Sequence, residues 1–294
     1  MRHKIFHLVS FLIGIVFLVP AVILAVFFRY PHFYTAFAFG GWLVLDFIDW
    51  KLNNRSILAY FYGHKHRDTF FAFFILASIF CFLVDYVYGV RLSGMWQWTN
   101  YKTAEYMVMY LFMNVSYILG MYELFQVIRT ILYRYFYNGK KKVINTKSIS
   151  KSTYLFLVGA GFICVLLPLY TLIFQSSAYI EYIMIFPFIG MLSIADGLTG
   201  LLGGYPLILK AVNFNHLHFI ALVFTVFFGA GITEALNVFG GEWKYLKMPF
   251  PELTVYSVPV AVFVGWIPLV VGAITLVYFV KQLDFIWYAK KVKI

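Results

Sequence analysis

The sequence predicts an all-α polytopic membrane protein of about eight transmembrane helices, arranged as two parallel four-helix repeats. Three observations lead there. The 294 residues are 63% hydrophobic and 12% charged, with a mean hydropathy of +0.83, whereas a soluble domain carries about a quarter charged residues. The apolar residues fall in runs that match the ~20 residues a helix needs to cross a bilayer. Lysine and arginine alternate between crowded and sparse connections. The same figures exclude soluble, disordered, collagenous, coiled-coil and nucleic-acid-binding classes, and leave the lipid bilayer as the first partner.

The first run, 5–28, follows Met1-Arg-His-Lys. It is too long for a signal peptide and lacks a small-x-small cleavage site, so a retained span is expected. Further spans are predicted over 33–50, 69–90, 104–126, 153–175, 178–202, 217–238 and 255–281. Pro20, Pro168, Pro187, Pro259 and Pro268 fall inside them, which membrane helices tolerate as kinks. The amino terminus, the 51–68, 127–152 and 203–216 connections and the carboxyl tail hold 18 of the 23 Lys and Arg; the opposite connections hold 5. The positive-inside rule then predicts a cell (inner) membrane protein with both termini cytoplasmic. On that reading the net charge of +11 reports topology. The run Lys140-Lys141-Lys142 is an orienting, headgroup-facing linker. Cys81 and Cys164 lie in apolar runs and offer no disulfide framework.

Internal similarity divides the chain into a first four-helix repeat (1–138), a basic cytoplasmic linker (139–152) and a second repeat (153–294). Gly94-Met-Trp96-Gln-Trp98 is matched by Gly241-Glu-Trp243-Lys-Tyr245, and beyond six intervening residues Glu105 is matched by Glu252. Asp85 and Glu234 precede these turns. His64-Lys-His66 and His216-Leu-His218 open the spans before them, and Asp46 with Asp49 in span two is matched by Asp196 in span six. Four echoes in the same order argue for duplication, and parallel repeats need an even number of spans per unit.

Most of the twelve acids fall within or beside predicted spans: Asp46, Asp49, Asp85, Glu105, Glu123, Glu181, Asp196, Glu234 and Glu252. Charge at membrane depth costs ~2.5–3.5 kcal/mol on insertion scales, so such residues face the bundle interior and mark a functional site. In the outer layer Asp85, Glu105, Glu234 and Glu252 are the catalytic candidates, set among Tyr86, Tyr88, Trp96, Trp98, Tyr106, Trp243 and Tyr245. An interfacial aromatic belt accounts for part of this, but the fixed Trp-x-aromatic spacing to an acid asks for more. A carboxyl group among apolar rings is desolvated and stays protonated. It can then act as a general acid while ring faces stabilise a carbocation, the combination that protonation of an isolated C=C bond requires.

In the inner layer, Asp46, Asp49, His64, His66, Asp196, His216 and His218 are candidate ligands for a divalent metal such as Mg²⁺, Mn²⁺, Fe or Zn²⁺. Against this, residues two apart do not share a helical face, and 63–68 also reads as a solvated basic loop. No other cofactor is expected.

The motifs Gly231-Ile-Thr-Glu234-Ala-Leu-Asn237, Gly241-Glu-Trp243-Lys-Tyr245, Pro251-Glu252, Val258-Pro259-Val260 and Trp266 resemble the membrane proteins of carotenoid biosynthesis, the superfamily of lycopene-cyclase-type domains and bacterioruberin-pathway carotenoid hydratases. The resemblance covers roughly 85–125 and 225–270. It implies an isoprenoid or carotenoid ligand, Glu234 and Glu252 as acids, and Trp243 and Tyr245 lining the slot with Asn237 and Trp266 in the same motifs. Asp85, Trp96, Trp98 and Glu105 form the weaker first-half copy. The cyclases carry Pro-x-Glu followed by a second acid, whereas Leu253 follows Glu252 here and Tyr106 follows Glu105. Hydration, in which water quenches the protonated double bond, therefore fits better than cyclisation. Two other readings stand beside it. Asp46-x-x-Asp49-x-x-x-Asn53 with Asp196 is similar to the Mg²⁺-diphosphate motifs of intramembrane prenyltransferases. A non-enzymatic transporter, or a structural subunit with a membrane-complex partner or a homo-oligomeric one, is the third.

Overall fold

The computed structural model describes residues 2–62, 66–99, 101–137, 149–174, 180–214 and 216–292. His64, Lys140–Lys142 and most of the expected 139–152 linker lie outside the described residues. In chain order the elements are α1 (Arg2–Phe28), α2 (Tyr34–Asn53), the short α3 (Ile57–Tyr62), and α4 (Arg67–Cys81), which runs on as a π-helical stretch, Phe82–Leu92. Then follow β1 (Trp96–Trp98), α5 (Thr103–Val108), a π turn at Met109–Met113, α6 (Asn114–Tyr137) and α7 (Lys151–Phe174). The second half continues with α8 (Ile180–Ile183), α9 (Ile185–Leu201), α10 (Leu207–Phe214), α11 (His216–Gly240), β2 (Trp243–Tyr245), β3 (Thr254–Val255), β4 (Val258–Pro259) and α12 (Val260–Val292).

The protein is an all-helical membrane protein with two small ribbons. Among the described residues six helical rods are long and apolar enough to cross a bilayer, carried by α1, α4 with its π extension, α5 to α6, α7, α11 and α12. The two remaining predicted spans correspond to α2, which carries Asp46, Asp49 and Lys51, and α9, which has 17 residues. The outer surfaces of α1, α7 and α11 expose Leu8, Val16, Phe27, Phe156, Leu167 and Phe227, as helices facing lipid do.

Lipid offers no hydrophobic reward for helix association, so small residues and close backbone approach hold the bundle. α1 crosses α2 where Gly14 meets Gly40: a Cβ on Gly40 would stand 2.7 Å from the Gly14 carbonyl oxygen and 2.5 Å from the Leu18 nitrogen. α7 crosses α9 in the same way, with a Cβ on Gly190 only 2.6 Å from the Gly161 carbonyl oxygen. α2 packs on α6 and α9 on α12, while α6 also touches α11 and α12. The core therefore lies along α6 and α12, with Leu119, Phe125 and Ile274 buried there.

β1 and β2 pair antiparallel, with Trp96 opposite Tyr245, Gln97 opposite Lys244 and Trp98 opposite Trp243. The chain enters each strand through a left-handed glycine, Gly94 at φ +64° and Gly241 at φ +69°, a conformation glycine adopts without steric cost. The two turns matched in the sequence thus bind each other.

Candidate functional site

A cavity of about 410 Å³ opens beneath the β1–β2 ribbon, bounded by the π stretch, the start of α6, α9 and the start of α12. Its walls are predominantly apolar and aromatic, as small-molecule sites are. Ring centroids run in contact from Trp98 to Trp243 at 5.1 Å, Trp243 to Tyr34 at 5.3 Å, Tyr34 to Tyr117 at 5.8 Å and Tyr117 to Trp266 at 5.7 Å.

Asp85, on the π stretch, lines this cavity. Its Oδ1 accepts the Trp96 indole N–H at 2.6 Å and its Oδ2 that of Trp98 at 2.9 Å. Trp96 reaches it by lying flat on Gly89, where a Cβ would meet the indole ring at 1.9 Å. The widened helix and the glycine therefore place one acid under two indoles.

Glu234 sits on α11, 1% exposed. Its Oε1 accepts the Tyr245 hydroxyl at 2.5 Å and the Trp266 indole N–H at 2.7 Å, and the Trp243 indole donates to the Tyr245 oxygen at 2.9 Å. Tyr245 and Trp266 line the cavity, so Glu234 stands in a second layer behind them. Asn237 plays another part from the one expected. Its amide donates to the Trp243 carbonyl and accepts the Trp243 N–H, each at 3.0 Å, clamping the turn instead of facing a ligand.

Two of the predicted acids leave the site. Glu105 is exposed and accepts the Lys102 N–H at 2.6 Å as a helix cap. Glu252 is exposed in the connection ahead of β3, although its neighbour Leu253 reaches the cavity wall. The Trp-x-aromatic spacing placed them near the site in sequence, but the chain turns their carboxyls outward.

A further buried acid at the ribbon, outside the cavity lining, is Glu242, which sequence reasoning overlooked. It is fully buried and accepts the N–H groups of Phe33 at 3.1 Å and Tyr34 at 2.7 Å as well as the Tyr101 hydroxyl. Burial pushes its carboxyl up to about 7, against the opposing pull of these donors. Its position between Gly241 and Trp243 was visible, but Tyr101 and Tyr34 become neighbours only through the ribbon.

The inner-layer candidates separate into structural tasks. Asp46 accepts the Leu58 N–H at 2.8 Å, with His7 Nδ1 at 3.6 Å from its other oxygen. Asp196 accepts the N–H groups of Ile208 and Leu209 at 3.2 Å. Each therefore caps the short helix that follows its span, α3 or α10, whose first N–H groups have no partner within the helix. Glu123 adds a bond from the Ile57 N–H at 2.5 Å, and Asp49 accepts the Asn53 amide at 2.5 Å. His66 Nδ1 lies 2.7 Å from Asp284, which also accepts the Tyr60 and Thr69 hydroxyls. His218 Nδ1 pairs with the Tyr205 hydroxyl at 2.8 Å, and His216 is exposed. Among the described residues no three His, Cys, Asp or Glu side chains are grouped to hold a metal ion.

Comparison of the chain with known protein families, with curated proteins and with solved structures gives no match.

Proposed function

We propose that this chain is a duplicated, eight-span enzyme that protonates a C=C bond of a long isoprenoid or carotenoid chain, with hydration as the outcome. The observation that carries the reading is Asp85: a carboxyl lining an apolar, ring-walled cavity, with one indole N–H on each oxygen. When such an acid releases its proton to an alkene, the carboxylate left behind keeps both indole hydrogen bonds. The donors remain on the carboxylate after the proton has left, and the cation formed lies among the faces of Trp98, Trp243 and Trp266. The resemblance of the Glu234-to-Trp266 segment to carotenoid hydratases and cyclases agrees with this chemistry. The alternative of a Mg²⁺-diphosphate site is weakened, because Asp46 and Asp196 are engaged by backbone donors.

The duplication is supported by matched geometry. The Gly14–Gly40 and Gly161–Gly190 crossings, the Asp46 and Asp196 caps and the two paired turns occupy corresponding places in each half. Asp85 precedes Gly94 by nine residues and Glu234 precedes Gly241 by seven. The π-helical stretch takes up the difference, since π segments absorb added residues and are frequent at functional sites. With Lys and Arg crowded on the α3 and α10 face, the ribbon and cavity open toward the outer side and both termini are cytoplasmic.

The test expresses the full chain in cells supplied with lycopene. A more polar pigment, heavier by one water, is the expected product, and Asp85→Asn abolishes it while the protein still purifies as a folded species. Full conversion by Asp85→Asn overturns the reading. A transporter or scaffold gives no such product in any variant.

A further inference from the structure

Five residues that line the cavity are also exposed on the surface of the protein: Tyr182 on α8, Phe250 and Leu253 in the connection ahead of β3, and Val260 and Val264 on α12. They mark its mouth, and none is charged. Two apolar stripes lead away from it. Phe186 and Ile189 follow Tyr182 on α9, and Ile267 follows Val264 on α12, all of them exposed and at the spacing of a single helical face. α9 and α12 pack against each other, so the mouth lies between neighbouring helices whose outer surfaces are apolar. Continuous exposed apolar surface of this kind marks contact with a membrane.

Tyr182 and Phe250 meet at the mouth, their ring centroids 5.6 Å apart and their planes at 74°. The Phe250 backbone is left-handed, at φ +52°, an outlier for a bulky residue, and Pro251 after it favours extended backbone instead. Other left-handed residues have local reasons. Asn54 closes α2, and Tyr256 and Ser257 form the two-residue turn between β3 and β4, which demands such angles. Phe250 has neither a helix end nor a hairpin to explain it. Strain of this type collects at ligand clamps, and here it carries a ring to the mouth.

The cavity volume of about 410 Å³ lies toward the lower end of the ~300–1,000 Å³ that enclose drug-sized ligands. A long isoprenoid chain, on the scale of the ~30 Å hydrocarbon core, exceeds it. The surplus has to leave through the mouth, and the stripes on α9 and α12 offer it an apolar path. Resting on the function proposed above, we propose that the cavity takes one end of the chain sideways from the bilayer, between α9 and α12, with Tyr182 and Phe250 as the gate and the remaining length left in lipid. Recognition is then confined to the chain end and is indifferent to total length. Gly265 lines the cavity, and a Cβ there would meet no heavy atom within 4 Å, so this position keeps the passage open.

Full-length protein in nanodiscs, with polyene dissolved in the bilayer, tests the route through quenching of tryptophan fluorescence. Gly265→Leu puts a side chain into the open space while favouring the helix, and is expected to lower affinity for lycopene about tenfold. Gly159→Leu, at a glycine on α7 equally free of neighbours, leaves it unchanged. Squalene, a shorter chain with the same terminal group, competes with lycopene at a similar mole fraction. Phe250→Gly relieves the left-handed backbone and removes the gate ring. Lycopene then enters and leaves about tenfold faster, while equilibrium affinity stays within about threefold. Unchanged affinity in Gly265→Leu, unchanged rates in Phe250→Gly, or failure of squalene to compete overturns the proposal. Chromatography of the pigment separates it from the reaction. Wild type that binds as described yet forms no alcohol supports the mouth and removes the hydration. Alcohol formed at the wild-type rate by Gly265→Leu overturns the mouth and leaves the hydration standing.

Discussion

The two faces of this protein carry pairs of acids that look alike in sequence and behave differently in space. On the α3–α10 face, Asp196 spends both oxygens and Asp46 one on backbone N–H groups of the helices that follow. On the ribbon face, Asp85 and Glu234 are held by indole and phenol donors beside a cavity. A backbone donor cannot leave, so the first pair is bound to the fold. Aromatic donors hold the second pair, and of these two acids Asp85 lines an open volume. A membrane acid is thus classified by its donors more than by its depth.

The sharpest way to break this contrast is amide substitution. Asp85→Asn removes the transferable proton and is expected to lower conversion of an isoprenoid substrate by roughly 10²–10⁴-fold, while Asp196→Asn leaves conversion within twofold at equal protein level. Equal losses in both, measured by chromatography of extracted pigment, would dissolve the distinction.

Glu242 belongs to the ribbon face but takes two backbone donors, and so joins both behaviours. Burial raises its carboxyl from 4.5 to about 7, so the folded protein retains a proton that the unfolded chain releases. Its stabilisation is full below about pH 4.5 and is lost as the pH climbs to about 7, by roughly 1–3 kcal/mol. Thermal midpoints across this range should fall in wild type and stay level in Glu242→Gln. A slope unchanged by the substitution assigns the titration elsewhere.

A smaller effect is expected for the caps themselves. Asp46→Ala and Asp196→Ala should each lower stability by ~0.5–2 kcal/mol, and the asparagine variants should recover most of it, because asparagine caps helices well. Thermal unfolding of the four variants checks this, and a failure of asparagine to rescue would point to a role for the charge. The smallest effect is predicted for Glu252→Gln, whose exposed side chain should leave both conversion and thermal midpoint unchanged within error.

Much of the fold was legible because its causes are local. Long apolar runs dictate spanning helices, and the Gly-x-aromatic turns announced themselves by repetition. The sorting of acids was not legible in the same way. Glu105 and Glu252 share the spacing of their neighbours from Trp98 and Tyr245, yet which way a carboxyl turns depends on the connection that carries it. The partners of Glu242 lie more than a hundred residues away in the chain and meet it only once β1 finds β2. The capping roles of Asp46 and Asp196 were hidden for a related reason: α3 and α10 are too short to stand out as helices, so the N–H groups that those acids accept were invisible. The π-helical stretch was also hidden, because its two added residues look like a shift in spacing, not a change in helix type.

The ribbon joining the halves has a consequence for how the molecule comes into being. A ribosome delivers Trp98 long before Trp243, so the first strand emerges with its backbone groups unmatched. Tyr101 must likewise await Glu242. The first half can insert and bundle early, yet its chamber stays roofless until translation has nearly ended.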